Sequence, residues 1–266
     1  MPTGATTQTT APLRVDAPPA FPSVTVVIPT YREAENIGPL LERLEAVRAE
    51  RGLDLDVLFM DDRSGDGSVE AVERAGKPWA RFIERDGQRG LSKAVLDGIG
   101  RAAGDVIVVM DADLSHPPEK IPELLEALRG ADMAIGSRFV PGGANEENWG
   151  ARRAFCSFVA TGLASPLVRV RDPMSGFFAI RRERLGDTGD LDPIGYKIAL
   201  EIMVRRRLRN IAEVPIRFAD RQRGASKLTL REEARRLRHL GRLYRFRLGL
   251  GRRPSGGAGQ SGRSAS

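Results

Sequence analysis

Two carboxylates, Asp111 and Asp113, stand one residue apart around Ala112, directly after the most apolar run of the chain at 106–110. Strand alternation cannot accommodate both at the end of a buried strand, whereas a turn that presents the pair outward can. Hard divalent cations prefer such oxygen donors, and Mg²⁺ or Mn²⁺ takes one or two protein carboxylates together with substrate phosphates. On residue type alone a helix cap is equally open, because Asp113 and Ser115 precede Pro117 and Pro118. A second acidic cluster, Asp61-Asp62-Arg63-Ser64-Gly65-Asp66-Gly67, closes the apolar run 55–60. It reads as a solvated turn, or as a strand end whose carboxylate accepts hydrogen bonds from a base or ribose. Arg153 and Ser157 are spaced to share one helical face and could hold an anion, though Arg152 and Arg153 also suit a charged surface. His116, constrained by Pro117, reads as a capping or packing residue, and Cys156, between Phe155 and Phe158, as a small buried hydrophobe.

The elements that must position these groups alternate. A β-branched run at 24–28 ends at Pro29, and Ile37, Leu40, Leu41, Leu44 and Val47 then recur at helical spacing. Helices from about Ser68 and over 91–102, strands near 81–84, 106–110 and 132–136, and a helix at 118–129 continue the pattern. Continuous apolar strands separated by helices predict a mostly parallel sheet covered on both faces. Ligands bind beyond the carboxyl ends of such strands, and Glu33, Asp61, Asp62, Asp111 and Asp113 all fall there. No GxGxxG follows a strand, which removes the main support for a dinucleotide-binding domain.

Composition narrows the classes. The chain has 266 residues, 41% hydrophobic and 29% charged, enough for a real core and unlike a collagenous, wholly disordered or integral-membrane sequence. One cysteine and two histidines exclude a disulfide scaffold and a Cys/His zinc cluster, so a metal here is held by oxygen. Residues 221–253 hold twelve Lys or Arg against Glu232 and Glu233, a net +10 that leaves the remainder at −3. Leu230, Ala234, Leu237, Gly241, Tyr244 and Leu248 recur there at steps of three and four between arginines. This predicts a basic amphipathic helix over 228–250, either packed on the body or laid on an anionic membrane surface. A nucleic-acid role finds little support, since the segment lacks an RNA-binding signature and the acidic strand ends repel phosphate. Residues 1–21 and 251–266 read as a disordered leader and tail around a catalytic body at 22–227.

Several motifs, in order, carry a resemblance: Pro29-Thr30-Tyr31-Arg32-Glu33-Ala34-Glu35-Asn36, Asp61-Asp62-Arg63-Ser64, Gly90-Leu91-Ser92, Met110 to Pro118, Gly136-Ser137-Arg138, Ser175-Gly176-Phe177, Glu213-Val214-Pro215-Ile216 with Asp220-Arg221, and Ser226-Lys227. From about residue 24 to 230 the chain resembles the dolichol- and polyprenol-phosphate mannosyltransferases. The resemblance implies an α/β GT-A (Rossmann-like) fold with a basic C-terminal helix, GDP-mannose as donor, Mg²⁺ or Mn²⁺ as cofactor, and a polyprenyl or dolichyl monophosphate as acceptor. Carried over by position, it puts Pro29, Tyr31, Glu33, Met60 and Asp62 around the nucleotide, and Asp111, Ala112 and Asp113 at the metal and diphosphate. Ser115 stands where some relatives have a metal-ligating Gln and joins the ligand set, directly or through water. Arg138, Arg153 and Ser157 match the acceptor-phosphate positions, and Arg221 and Lys227 the basic residues that close over the diphosphate.

A lipid phosphate is already an anion at neutral pH, so it attacks the sugar C1 without a general base. Direct displacement inverts the anomeric carbon, with Asp113 and Arg138 as the residues nearest the chemistry. The same fold with another donor, such as UDP-glucose, is the alternative. Some relatives continue into transmembrane helices. Here the expectation is peripheral attachment to the cytoplasmic face of a membrane, alone or with a small membrane-anchoring protein.

Overall fold

The β-branched run of β1 (Val24–Thr30) is buried at all seven positions, as a central strand covered on both faces requires. In this computed structural model, which describes residues 23–145, 159, 161–193, 197–219 and 230–250, β1 lies between two parallel neighbours. Val24 is level with Leu55 of β2 (Leu55–Asp61) on one side and with Val106 of β4 (Val106–Val109) on the other. β3 (Ala80–Glu84) extends the sheet beyond β2, and β5 (Met133–Ser137), β7 (Phe178–Arg181) and β8 (Ile211–Pro215) extend it beyond β4, in the order β3-β2-β1-β4-β7-β5-β8. β7 alone runs antiparallel to its neighbours. A short ladder joins β6 (Ala144–Asn145) to β9 (Arg217–Phe218). The mostly parallel sheet is the expected one. β7 was not anticipated, because Phe178-Ala179-Ile180-Arg181 is only four residues long and carries no periodicity to mark it.

Helices cover both faces. α1 (Ala34–Arg51) buries Ile37, Leu40, Leu41, Leu44 and Val47, the stripe its spacing predicts. α2 (Ser68–Ala75) follows β2 and α3 (Leu91–Arg101) follows β3. Gly98 lets α3 lie directly on the sheet: a Cβ there would stand 2.4 Å from Val27 and 2.9 Å from Met60. The helix expected at 118–129 is a 3-10 turn (Pro118–Lys120) leading into α4 (Ile121–Ala127). α5 (Arg182–Leu185) and α6 (Ile198–Arg205) separate β7 from β8.

The basic segment forms α7 (Leu230–Arg247), and its second half packs on the body. His239, Leu240 and Leu243 are buried while Gly241 and Leu248 are exposed. Of the stripe that the periodicity marked, Tyr244 is half-buried against the core, beside Leu240 and Leu243. Polar contacts tie this face to the body. Arg242 donates to Asp192 at 2.9 Å, the Tyr244 hydroxyl donates to Leu163 O at 2.7 Å, and Arg205 of α6 lies over the Phe246 ring. His239 Nε2 sits 3.3 Å from Glu201 Oε2, while Glu201 Oε1 accepts from Arg205 at 2.7 Å and from the Asp192 amide at 3.0 Å.

Burial, and then the cations of Arg242, Lys197 and Arg205 against the anion of Asp192, push the His239 pKa from 6.5 down to about 4. The native state therefore holds this ring neutral, and its contribution is present above pH 6.5 and lost as the pH falls from 6.5 towards 4. Chemical denaturation across that window should show stability falling by about 2–3 kcal/mol on this account. His239→Leu should flatten the slope there. An unchanged slope would mean the ring is not buried as described.

Candidate active site

Parallel register brings the acidic clusters together. Thr30 is level with Asp61, and Val27 with Val109, so β2, β1 and β4 deliver Asp61–Asp62, Tyr31–Glu33 and Asp111–Asp113 along one edge of the sheet. The first two loops are stitched to each other. The Arg32 amide donates to the Ser64 hydroxyl at 2.8 Å and the Ala34 amide to Asp66 at 3.1 Å. Burial alone would raise the Asp66 carboxyl, but the Ser68 hydroxyl and the amides of Ala34 and Ser68 hold it below the ordinary carboxylate range. Glu33 accepts from the Asn36 side chain at 2.6 Å at the start of α1.

The residues expected around a nucleotide differ in what they present. Tyr31 is exposed, with Arg32 and Arg89 over its ring at 5.4 and 5.6 Å. Pro29 is buried at the end of β1. Met60 is fully buried against Gly98, so its side chain belongs to the core between α3 and the sheet. Asp61 accepts from the Ser64 amide and hydroxyl. Asp62 pairs with the buried Arg85 and accepts the Gly90 amide at 2.7 Å. Arg85 reaches on to Asp97 at 2.8 Å, so Asp62 fastens the loop between β3 and α3. Sequence reading missed Arg85 and Arg89. They lie just before Gly90-Leu91-Ser92, the only signal that could have drawn attention to them.

Asp111, Ala112 and Asp113 form the turn that follows β4. Asp111 keeps about a quarter of its side chain exposed, and Asp113 is buried. Ser115 is wholly buried, its amide and hydroxyl donating to Asp113 Oδ1 at 3.1 and 2.5 Å. It orients the carboxylate that the sequence expectation had it assist as a ligand. Among the described residues no group of three or more His, Cys, Asp or Glu could hold a metal. The chain thus offers two hard carboxylates from one turn, a set that fits Mg²⁺ or Mn²⁺ when substrate phosphates and water complete the coordination.

Arg138 sits at the end of β5. It donates in bidentate fashion to Asp172, Nε to Oδ2 and Nη2 to Oδ1, both at 2.8 Å, and lies over the rings of Phe139 and Phe218. Glu213 in turn accepts the amides of Asp172 at 3.1 Å and Arg171 at 2.8 Å. Asp172 escaped the sequence reading, since a lone Asp before Pro173 carries no spacing signal. Ser175 donates to Gly136 O at 2.6 Å, joining the two motifs that flank Arg138. Arg153, Ser157, Arg221 and Lys227, expected at the acceptor phosphate and the diphosphate, lie outside the described residues.

Residues 25–194 match the family model described as Glycosyl transferase family 2. The chain belongs to that family. It is a glycosyltransferase, and curated relatives carry the name the resemblance implied. It is 44% identical to a dolichol-phosphate mannosyltransferase of Pyrococcus furiosus over 84% of this chain, and 39% identical to one of Saccharomyces cerevisiae, again over 84%. It spans 64% of the length of the Pyrococcus protein and 88% of that of the yeast protein. A mannosyl-3-phosphoglycerate synthase of Rubrobacter xylanophilus shares the fold with a TM-score of 0.68 at 17% identity, covering 88% of this chain and 77% of that one. A glucosyl-3-phosphoglycerate synthase of Mycobacterium tuberculosis, crystallised with Mn²⁺ and UDP-glucose, gives 0.63 at 20% identity, covering 87% of this chain and 81% of that one. The fold of this family 2 member is GT-A.

Removing one member of the Arg138–Asp172 pair leaves a buried charge uncompensated. Asp172→Ala should therefore destabilise the protein by about 3–5 kcal/mol, whereas Arg138→Met combined with Asp172→Leu should recover most of that loss. Urea denaturation measures both. Additive losses in the double variant would show that the two residues do not form a unit.

Proposed function

We propose that this glycosyltransferase moves mannose from GDP-mannose to a polyprenyl (dolichyl-type) monophosphate, with inversion at the anomeric carbon. The observation that carries the proposal is the set of relatives named dolichol-phosphate mannosyltransferase, at 39–44% identity over most of the chain. Relatives named undecaprenyl-phosphate mannosyltransferase and polyprenol monophosphomannose synthase add support at 38% and 36%. The chemistry of the strand ends agrees with it.

In this mechanism Tyr31 and the loops around Glu33, Asp61 and Asp62 receive the nucleotide. Asp111 and Asp113 would hold Mg²⁺ or Mn²⁺, which would supply positive charge to neutralise the departing diphosphate. Asp113 is oriented by Ser115 before the donor arrives, and Asp111 keeps part of its side chain open to solvent. Arg221 and Lys227 add cations over the same diphosphate. On the acceptor side Arg138 works with Arg153 and Ser157. Its guanidinium is already fixed by Asp172, so a phosphate meets a donor whose direction needs no reorganisation. The acceptor phosphate is the nucleophile and needs no proton removed, because it is already an anion at neutral pH.

The acceptor's isoprenoid tail calls for a membrane surface. No described helix is long and apolar enough to cross one. The exposed side of α7 carries Arg238, Arg245 and Arg247, with Leu248 and Leu250 exposed just beyond. This supports peripheral association with an anionic leaflet on the cytoplasmic face, alone or with a small membrane-anchoring protein.

Incubation with labelled GDP-mannose, UDP-glucose and other sugar nucleotides, Mn²⁺ and a short polyprenyl phosphate tests the reaction. The expected outcome is lipid-linked mannose from GDP-mannose, lost in excess EDTA, with β configuration. Asp113→Ala should lower transfer at least about a thousandfold while leaving the fold intact. Product from UDP-glucose alone would replace the donor assignment, and full activity in EDTA would remove the metal. Arg138→Lys, which keeps a cation opposite the buried Asp172, should raise KM for the lipid phosphate or lower kcat, leaving GDP-mannose affinity in a calorimetric titration nearly unchanged.

A further inference from the structure

Asp111 lies just past the point where the ladder of β4 stops. Val109 is the last β4 residue paired with β7, opposite Phe178. The Met110 amide reaches Val27 O at 3.3 Å, and Phe177 O turns away to accept the Gly136 amide of β5 at 2.8 Å. The next amide, that of Asp111, donates to a side chain, the Nδ1 of His116, at 2.9 Å. A neutral imidazole that accepts at Nδ1 carries its proton on Nε2, so the contact selects one tautomer.

The ring has little freedom to leave this position. It stacks on Phe177 with centroids 5.3 Å apart and meets Phe218 edge-on at the same distance. On another side Gly176 closes in: a Cβ there would stand 3.3 Å from Cε1 of the ring and 3.7 Å from the Asp111 carboxylate. The turn is tied again at Asp113 by Ser115, and at the Ser115 carbonyl by the Ala219 amide at 3.2 Å. Between these ties Leu114 holds φ +64°, a left-handed conformation that a leucine keeps only when its surroundings impose it.

We infer that His116 is a positioning residue for the metal-binding turn: by accepting the Asp111 amide at Nδ1 it fixes the backbone that aims the Asp111 carboxylate beside that of Asp113. The inference rests on the proposed metal role of those two carboxylates. Without the acceptor, a part-buried N–H would have to find another partner, and the turn would move Asp111 relative to Asp113.

Asn and Leu share one branched shape, but only Asn offers an oxygen where Nδ1 stood. His116→Asn and His116→Leu therefore lose the same ring and differ in the acceptor. Titration of GDP into each protein, with and without Mn²⁺, should show the Mn²⁺-dependent affinity of His116→Leu roughly tenfold or more below that of His116→Asn. Equal affinities would overturn the inference. A second measurement needs no variant to fold: with only two histidines in the chain, ¹⁵N-histidine labelling of the unmodified protein reads each tautomer. The expected result for His116 is the Nε2–H form, and an Nδ1–H ring would overturn the proposal outright. GDP binding to the unmodified protein that ignores Mn²⁺ would instead remove the metal reading, a failure the tautomer spectrum distinguishes from loss of the His116 contact.

Discussion

The parallel register of β2, β1 and β4 is the constraint on which the site depends. Val24 is level with Leu55 and Val106, so the three strands start together and end within a few residues of one another. Parallel strands need crossover helices, and those helices bury both faces of the sheet, which leaves only the strand ends for polar chemistry. A shift of the β1–β2 register by one residue would turn every β2 side chain to the opposite face and carry the Asp61–Asp62 turn out of line with Tyr31–Glu33. Buried apolar side chains on both faces of the strands, Val27 and Met60 under Gly98 among them, specify this register.

Charges that leave the surface are matched locally. Arg138 has Asp172, Arg85 has Asp62 and Asp97, and Glu201 has Arg205 beside His239. Each charge would be costly alone in a water-poor setting, and each pair is worth little as stability compared with an apolar pair of the same shape. What such pairs supply is direction. The Arg138 guanidinium and the loop carrying Gly90 each have one place to be, which suits groups that meet phosphates and a nucleotide.

The C-terminal helix shows two demands meeting on one element. Leu240 and Leu243 close the core from outside, while Arg238, Arg245 and Arg247 face away from it. Packing of one face and charge on the other are compatible, so attachment to the body and attraction to an anionic surface are not alternatives for this helix.

The sequence by itself determined the strand–helix alternation of the first half, the α1 stripe from Ile37 to Val47, the acidic strand ends and the family, because these depend on local periodicity and on contiguous motifs. It could not determine β7, whose antiparallel place between β4 and β5 is chosen by neighbours more than forty residues away in the chain. Nor could it assign Asp172 to Arg138, Arg85 to Asp62 or His116 to the Asp111 amide as partners. A hydrogen bond is specified by position and angle at about 3 Å, and only the packed sheet brings those groups to that range. The buried face of α7 followed the same rule: of the marked Gly241, Tyr244 and Leu248 only Tyr244 packs against the core, while His239, Leu240 and Leu243 are buried where Asp192 and Glu201 of the body meet Arg242 and His239.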